Sequence, residues 1–428
     1  TRDVYEEGVN SVNTVRDFEY IFNTYCQFFE IMIRAKFERG ETDDEDEGDF
    51  SFAGDNVDLL MARYEDLLKR RPLLVNSVLI RQNPHNVGCW LSRAKIYQRQ
   101  EEPLKVIESY AMAIKTINPD KCRGNPHMLW IKLAKFYEDN SDDLDNVRKT
   151  FERAVMYPFK NVDHLATVWC TWAETEISHK NYEKALEVIK MATMLPHKKA
   201  RFEEKSVGDR LVAQKRVYRS PKLWALYADL EENLGTFETT CAVYETAMEL
   251  RVATVQMILN FSTFLEKKKY FEKAFQTYEK GVALFRTPHS IPIWERYISK
   301  FVARYGGTKI DRTRSIFEYA VKSFRAVEAK DILVKYANFE EKYGTPKKAM
   351  AVFDKMCDLL RGKDKYEAFL VYLNKATEAF GAIMTRSIYE KAVKVLPDAF
   401  VPHICIRFAN LETRLGEVDR ARAVFRYS

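Results

Sequence analysis

Two sets of side chains recur along this chain with one period. An aromatic inside an alanine-containing helical string returns at Tyr244, Tyr278, Phe317, Phe353, Tyr389 and Phe425, at gaps of 34, 39, 36, 36 and 36 residues. A second anchor precedes it in each unit, at Trp90, Trp130, Trp169, Trp224, Ile258, Trp294, Leu333, Phe369 and Cys405. Its gaps are 40, 39, 55, 34, 36, 39, 36 and 36. Three residues beyond that anchor a further ring follows, at Trp172, Tyr227, Phe261, Tyr297, Tyr336, Tyr372 and Phe408. Independent anchors sharing one period mean an array of supersecondary units, each too small to bury its apolar face alone and each stacked on its neighbours.

Each unit reads as two helices. In KLWALYADLEENLG (Lys222–Gly235), Trp224, Tyr227 and Leu230 form one helical stripe. Ser220 and Pro221 supply an N-cap and a first-turn proline, and Thr345 and Pro346 do the same later. Gly235, Gly344, Gly381 and Gly416 stop the first helix. The second helix is the string RSIYEKAVKVLP (Arg386–Pro397) and its relatives. There Ala392 lets backbones approach, Tyr389 fills the space beside it, and Glu390 and Lys394 are spaced for an i,i+4 ion pair.

No stretch alternates with period two between turn signals. The expected fold is therefore all-α, a right-handed α-solenoid of about ten antiparallel helix pairs running as one array over residues 1–428. Five of the six tryptophans sit at the first-helix anchor and Trp172 at the next ring, which is core geometry rather than a stacking platform. The expected core anchors are Trp90, Trp130, Trp169, Trp224, Trp294, Tyr244, Tyr278, Phe317, Phe353, Tyr389 and Phe425.

Composition narrows the function. A net charge of +6, from 68 basic and 62 acidic residues among 428, is small for a chain that mainly grips phosphates. The seven cysteines have no paired spacing, so they read as reduced core residues in an intracellular protein. The seven histidines form no H-E-x-x-H and no cluster with cysteine. No nucleophile elbow, dinucleotide fingerprint or phosphate loop is present, and no apolar run reaches the ~18 residues of a membrane span. No catalytic residue, cofactor site, metal site, small-molecule substrate or membrane association is expected. Paired acids such as Glu231-Glu232 and Glu340-Glu341 recur at one place in the first helix, and read as solvated or as partners of a basic residue in a neighbouring unit.

The period breaks in two informative places. Residues 38–55 hold Glu41, Asp43, Asp44, Glu45, Asp46, Glu47 and Asp49, between helices expected around Phe18–Lys36 and Asn56–Arg71. Such a run repels itself and is expected to be a disordered acidic loop, or else a docking tail for a basic partner. Residues 197–220 carry Lys198, Lys199, Arg201, Lys205, Arg210, Lys215, Arg216 and Arg219 against three acids. These are the candidate contacts for RNA or an acidic partner, with a solvated helix extension as the alternative. The stretch Lys300–Arg314, with Gly306-Gly307, is read as an inter-helix turn.

The unit resembles the half-a-TPR (HAT) repeat of RNA-processing scaffolds, a TPR-like helix pair: two rings three residues apart, then Glu and Gly, then A-x-x-(Tyr/Phe)-Glu-x-Ala. The connectors narrow the match. RRPLLVNSVLIRQNPHNVGCW (Arg70–Trp90), LWIKLAKFYEDN (Leu129–Asn140), ALYADLEENLGTF (Ala225–Phe237), KFVARYGG (Lys300–Gly307) and FANLETRLGEVDRARAVF (Phe408–Phe425) are similar to the Syf-type pre-mRNA-splicing factor family, whose animal members are also called xeroderma pigmentosum group A-binding proteins. That resemblance implies a nuclear, non-catalytic spliceosome scaffold of the nineteen complex and intron-binding complex. The partners it implies are a crooked-neck-like HAT protein, an Aquarius-type helicase, a cyclophilin and other nineteen-complex members, with peripheral RNA contact. It also implies a link to transcription-coupled DNA repair. The alternative is an RNA-contacting HAT scaffold of 3′-end cleavage or ribosome assembly. The opening TRDVYEEGV reads as a second helix without its first, and VFRYS stops inside another, so a piece of a longer array is expected.

Overall fold

The computed structural model describes residues 2–40, 50–141, 144–195, 212–325 and 328–427. Among them are twenty-two α-helices, two short 3₁₀ turns and one isolated bridge, Asn86 to Arg123, with no strand. Two compact units, Thr1–Val243 and Tyr244–Ser428, divide the chain inside its twelfth helix.

The first unit opens with α1 (Arg2–Ser11), α2 (Val15–Gly40) and α3 (Phe50–Gln82). Pairs then follow: α4 (Val87–Arg99) with α5 (Pro103–Thr116), α6 (His127–Ser141) with α7 (Leu144–Met156), and α8 (Val162–Ser178) with α9 (Tyr182–Thr193). The short α10 (Val212–Arg216) stands outside the pairing and precedes α11 (Pro221–Leu234) and α12 (Phe237–Glu249). The second unit continues with α13 (Val255–Lys267), α14 (Phe271–Leu284), α15 (Ile291–Tyr305), α16 (Ile310–Ser323) and α17 (Ala329–Tyr343). It ends with α18 (Pro346–Leu359), α19 (Gly362–Phe380), α20 (Arg386–Val395), α21 (Val401–Arg414) and α22 (Val418–Tyr427). From α4 onward odd and even partners alternate as first and second helices, apart from the shift in numbering that α10 introduces. The period thus delivers an all-α solenoid.

Ten of the eleven expected anchors are buried, among them all five anchor tryptophans, and Trp172 is buried as well. Phe425, on α22, differs from the other ten in being 50% exposed. The caps also differ from the reading above. Ser220 and Thr345 do occupy N-cap positions ahead of a proline, but neither hydroxyl makes the cap hydrogen bond. Side-chain caps are made elsewhere: Thr14 accepts from the Asp17 N–H, Asn86 from the Gly88 N–H, Thr236 from the Thr239 N–H and Thr254 from the Met257 N–H. Glu390 and Lys394 form no ion pair; the intervening Lys391 binds Asp354 and Asp358 of the preceding second helix at 2.7 and 2.9 Å.

The helix expected around Asn56–Arg71 runs on through Pro72 to Gln82. An interior proline removes a backbone donor and crowds the preceding turn. Here both flanks of α3 are tied down. Leu67 and Val78, either side of the proline, are buried in one cluster with Phe18, Phe22 and Phe29. Arg70 bonds Glu6 at 3.1 Å, and Arg81 donates to the Val9 and Asn10 carbonyls of α1. The acidic run Glu41–Asp49 lies outside the described residues, and helix reaches Gly40 on one side and resumes at Phe50 on the other.

Candidate functional site

The surface a solenoid can offer depends on how rigidly its units are joined. In the second unit every junction uses the same ring pair. The second-helix aromatic stacks on the ring three residues past the next first-helix anchor: Tyr244 on Phe261 (4.6 Å between centroids), Tyr278 on Tyr297 (5.6 Å), Phe317 on Tyr336 (4.8 Å), Phe353 on Tyr372 (5.9 Å) and Tyr389 on Phe408 (5.0 Å). Phe151 and Trp172 repeat the arrangement in the first unit at 5.9 Å. The two registers visible in the sequence are thus the two halves of one inter-unit contact. Offset aromatic pairs of this kind contribute ~0.5–1.5 kcal/mol beyond their buried area.

Beside three of these stacks a buried glutamate is paired with a half-buried arginine. Arg148 holds Glu176 with two hydrogen bonds of 2.7 and 2.9 Å, Arg314 holds Glu340 at 2.7 and 3.0 Å, and Arg386 holds Glu412 at 2.7 Å twice. Each arginine sits three residues before the second-helix aromatic, and each glutamate seven after the next first-helix anchor. The glutamates are buried, Glu340 and Glu412 completely. Hydrogen bonding to Arg148 holds the Glu176 carboxyl below the usual carboxylate range against the opposing effect of burial, and the same bonds to carboxylate raise all three guanidiniums. Glu231 occupies this position without an arginine and accepts from Thr239 Oγ1 at 2.7 Å. The recurring first-helix acids therefore divide: one is clasped by the neighbouring unit, and Glu341 meets Lys375 of α19 at 3.3 Å.

The clasp also accounts for a glycine. Gly344 has φ −103°, which any residue adopts, yet a Cβ there would enter the Glu340 carboxylate. Gly235 stands in the same relation to Glu231. Gly416 is a different case, with φ +84° and open space around it.

First helices are also tied face to face by a half-buried pair, Lys300 to Glu266 at 2.8 Å, and an exposed one, Lys335 to Glu295 at 3.3 Å. Across α13, α15 and α17 runs a groove of about 550 Å³ lined by Gln256, Leu259, Asn260, Pro292, Arg296 and Lys335 among others. A second, more apolar hollow of about 400 Å³ lies among α20, α21 and α22, where Phe408 and Tyr427 line it.

Of the basic candidates, Lys198, Lys199, Arg201, Lys205 and Arg210 lie outside the described residues. Lys215 and Arg216 are on α10, and Arg219 is in the 3₁₀ turn that follows. This end of the insertion is packed. Ala213, Val217 and Tyr218 are buried, Gln214 donates to the Tyr157 carbonyl at 2.7 Å, and Trp224 Nε1 donates to the Tyr218 carbonyl at 2.6 Å. Arg216 and Arg219 remain exposed, Arg219 stacking its guanidinium over Tyr218 at 5.3 Å.

Residues 119–428 match the pre-mRNA-splicing factor Syf1/CRNKL1 C-terminal HAT repeat family, and residues 1–117 match the SYF1 middle HAT repeat family. The chain belongs to the Syf1 family of pre-mRNA-splicing factors. It is 44% identical over 427 residues to the human pre-mRNA-splicing factor SYF1, covering all of this chain and 48% of that protein. The Dictyostelium discoideum SYF1 is 40% identical over 425 residues (99% of this chain, 49% of the relative). The Schizosaccharomyces pombe pre-mRNA-splicing factor cwf3 is 40% identical over 426 residues (99% and 52%). The chain spans about half the length of the curated relatives it matches.

Among the described residues no group of three or more His, Cys, Asp or Glu is placed to hold a metal ion, and no helix is long and apolar enough to cross a membrane. None of the seven cysteines, all among the described residues, forms a disulfide; burial pushes Cys170 up to about 11 and Cys357 to about 12. One feature escaped the sequence reading, because its members lie 37 residues apart with no motif between them. His127 and His164, on α6 and α8, stack at 4.4 Å. Burial first, then His164 and Lys222, hold the His127 imidazole down to about 4. The unfolded chain, with an ordinary His pKa near ~6.5, binds more protons between those values. Stability tied to neutral His127 is complete above pH ~6.5 and is lost as pH falls toward 4. Denaturant titrations from pH 7 to 4.5 should therefore show a shallower acid loss in His127→Phe than in the parent, by up to ~1.4 kcal/mol per pH unit where one proton is taken up.

Proposed function

We propose that this chain is a non-catalytic scaffold segment acting in pre-mRNA splicing in the nucleus, holding several protein partners along the exposed faces of its repeats. The observation that carries this reading is family membership over the whole chain, since both matched families and the relatives are named as splicing factors. Stacked, clasped junctions support it physically, because a scaffold works by fixing distances between docked partners. The partners proposed are a crooked-neck-like HAT protein, an Aquarius-type helicase, a cyclophilin and other nineteen-complex members.

A tagged chain incubated in nuclease-treated nuclear extract is expected to recover splicing proteins. Recovery of none would overturn the reading. Recovery of 3′-end cleavage, ribosome-assembly or transcription-coupled repair factors in their place would replace it. A second reading, direct RNA contact by residues 197–220, rests on that segment's net +5 and on Arg216 and Arg219 remaining exposed at its described end. Charge reversal at Lys198, Lys199, Lys215 and Arg216 should then abolish a salt-sensitive RNA affinity and spare protein recovery, whereas unchanged RNA binding rules that contact out.

A further inference from the structure

Five residues past each first-helix anchor of the second unit, counting from Ile258, stand Thr263, Ser299, Asn338, Asn374 and Asn410. The three asparagines are exposed, and none has a hydrogen-bond partner among the described residues. They recur at intervals of 36 residues on α17, α19 and α21. Packing does not impose this. The same register in the first unit holds Lys95, Lys135, Glu174 and Asp229, and asparagine is a poor helix former where those positions are free to vary. A side chain that recurs at a solvent-facing position against its own local preference has to be useful for what it binds.

On α13 and α15 this register lines the groove described above, as Thr263 and Ser299, and the asparagines continue it on the first helices that follow. The position three residues earlier lines it too, as Asn260, Arg296 and Lys335, and continues as Val371 and Arg407. Adjacent first helices stay together on this side: α15 and α17 through Lys335 and Glu295, α17 and α19 through Lys375 and Glu341. Lys335 pairs with Glu295, and Lys375 is shared between Glu341 and the exposed Glu378, while Arg296 and Arg407 have no ion-pair partner among the described residues, so these four cations exceed the three acids by one.

We propose that Asn338, Asn374 and Asn410 form an amide ladder that grips the main chain of an extended, acidic segment of a partner protein. A carboxamide offers both a donor and an acceptor, which matches the N–H and C=O of an extended backbone. Neighbouring helices lie on the order of 10 Å apart, and an extended chain advances ~3.3 Å per residue, so one rung meets about every third residue. Exposed Val371 and Ile406 give apolar contact between rungs, and Arg296 and Arg407 select carboxylates. Two unpaired cations beside neutral amides suit a peptide better than a phosphate backbone, which needs a denser basic track. The inference rests on the scaffold reading only in making the ligand a protein.

The test uses the whole 428-residue chain and dodecamer peptides selected on it from a random display library, with affinity read by fluorescence anisotropy. The selected peptides should be acidic. Each single Asn→Ala change at the three positions should weaken them about fivefold, and the triple change ~50-fold or more. The helical circular dichroism and thermal midpoint of the triple variant should hold or rise, alanine being the better helix former. The triple Asn→Asp variant should bind more weakly still, by repulsion. The proposal is overturned if the library yields no binding peptide, if the triple alanine variant binds the peptides as well as the parent, or if a twelve-nucleotide oligouridine binds with the same dependence on these asparagines. Because no splicing protein enters this assay, its failure is distinct from failure of the extract experiment.

Discussion

Replacing Arg314 by methionine is expected to destabilise the second unit by about 3–5 kcal/mol. The Glu340 carboxylate is fully buried and takes both of its short hydrogen bonds from this one guanidinium, so the variant leaves an uncompensated charge between α16 and α17. The converse change, Glu340→Gln, should cost less, roughly 1–2 kcal/mol. Its arginine keeps a second partner in Asp311 at 3.1 Å and remains partly in contact with water. The double variant Arg314→Met, Glu340→Leu should regain most of the loss, since an apolar pair of similar volume removes the desolvation cost as well as the attraction. Junctions in an array couple nearest neighbours, so hydrogen exchange should quicken first in α16 to α18. A single-variant loss below ~1 kcal/mol, or protection lost evenly over the unit, would mean that the clasp does not join the repeats.

This clasp marks the limit of what could be read from the residues alone. The acids were visible as a repeated feature with either solvent or a neighbouring unit as partner, and the structure settles Glu340 on the neighbour. The arginine was not identifiable, because a position 26 residues upstream on another helix leaves no local pattern. The glycine after it was visible, but its reason was not. A glycine ending a helix suggests a left-handed residue, as at Gly416, whereas Gly235 and Gly344 are required by a carboxylate overhead. The tryptophan and tyrosine anchors were legible because each unit has to bury the same face, so the periodicity is a direct record of the core. The helix expected around Asn56–Arg71 falls short instead: it runs on through Pro72, where contacts from α1 and α2 hold both flanks. The asparagine register was legible in principle, as three identical residues at equal intervals, but only exposure distinguishes it from the packing registers beside it.

The same periodicity makes a matched pair of truncations with opposite outcomes. Phe353 and Phe425 hold one register in second helices two units apart, with Tyr389 between them. Phe353 is 1% exposed and stacks on Tyr372 at 5.9 Å, among buried Val352, Met356 and Leu360. Phe425 is 50% exposed. Phe353→Ala should cost about 3–5 kcal/mol in denaturant unfolding, combining lost transfer energy with a cavity that packed helices cannot close. Phe425→Ala should change stability by less than ~1 kcal/mol, because its ring already meets water on one side. A cycle with Tyr372→Leu separates the stack from the cavity, with a coupling of ~0.5–1.5 kcal/mol expected for Phe353. Equal losses at the two positions would mean that Phe425 is covered in solution. Small losses at both would mean that the recurring aromatic is not what holds successive units together, and the seam would have to be credited to the arginine clasps and the alanine contacts alone.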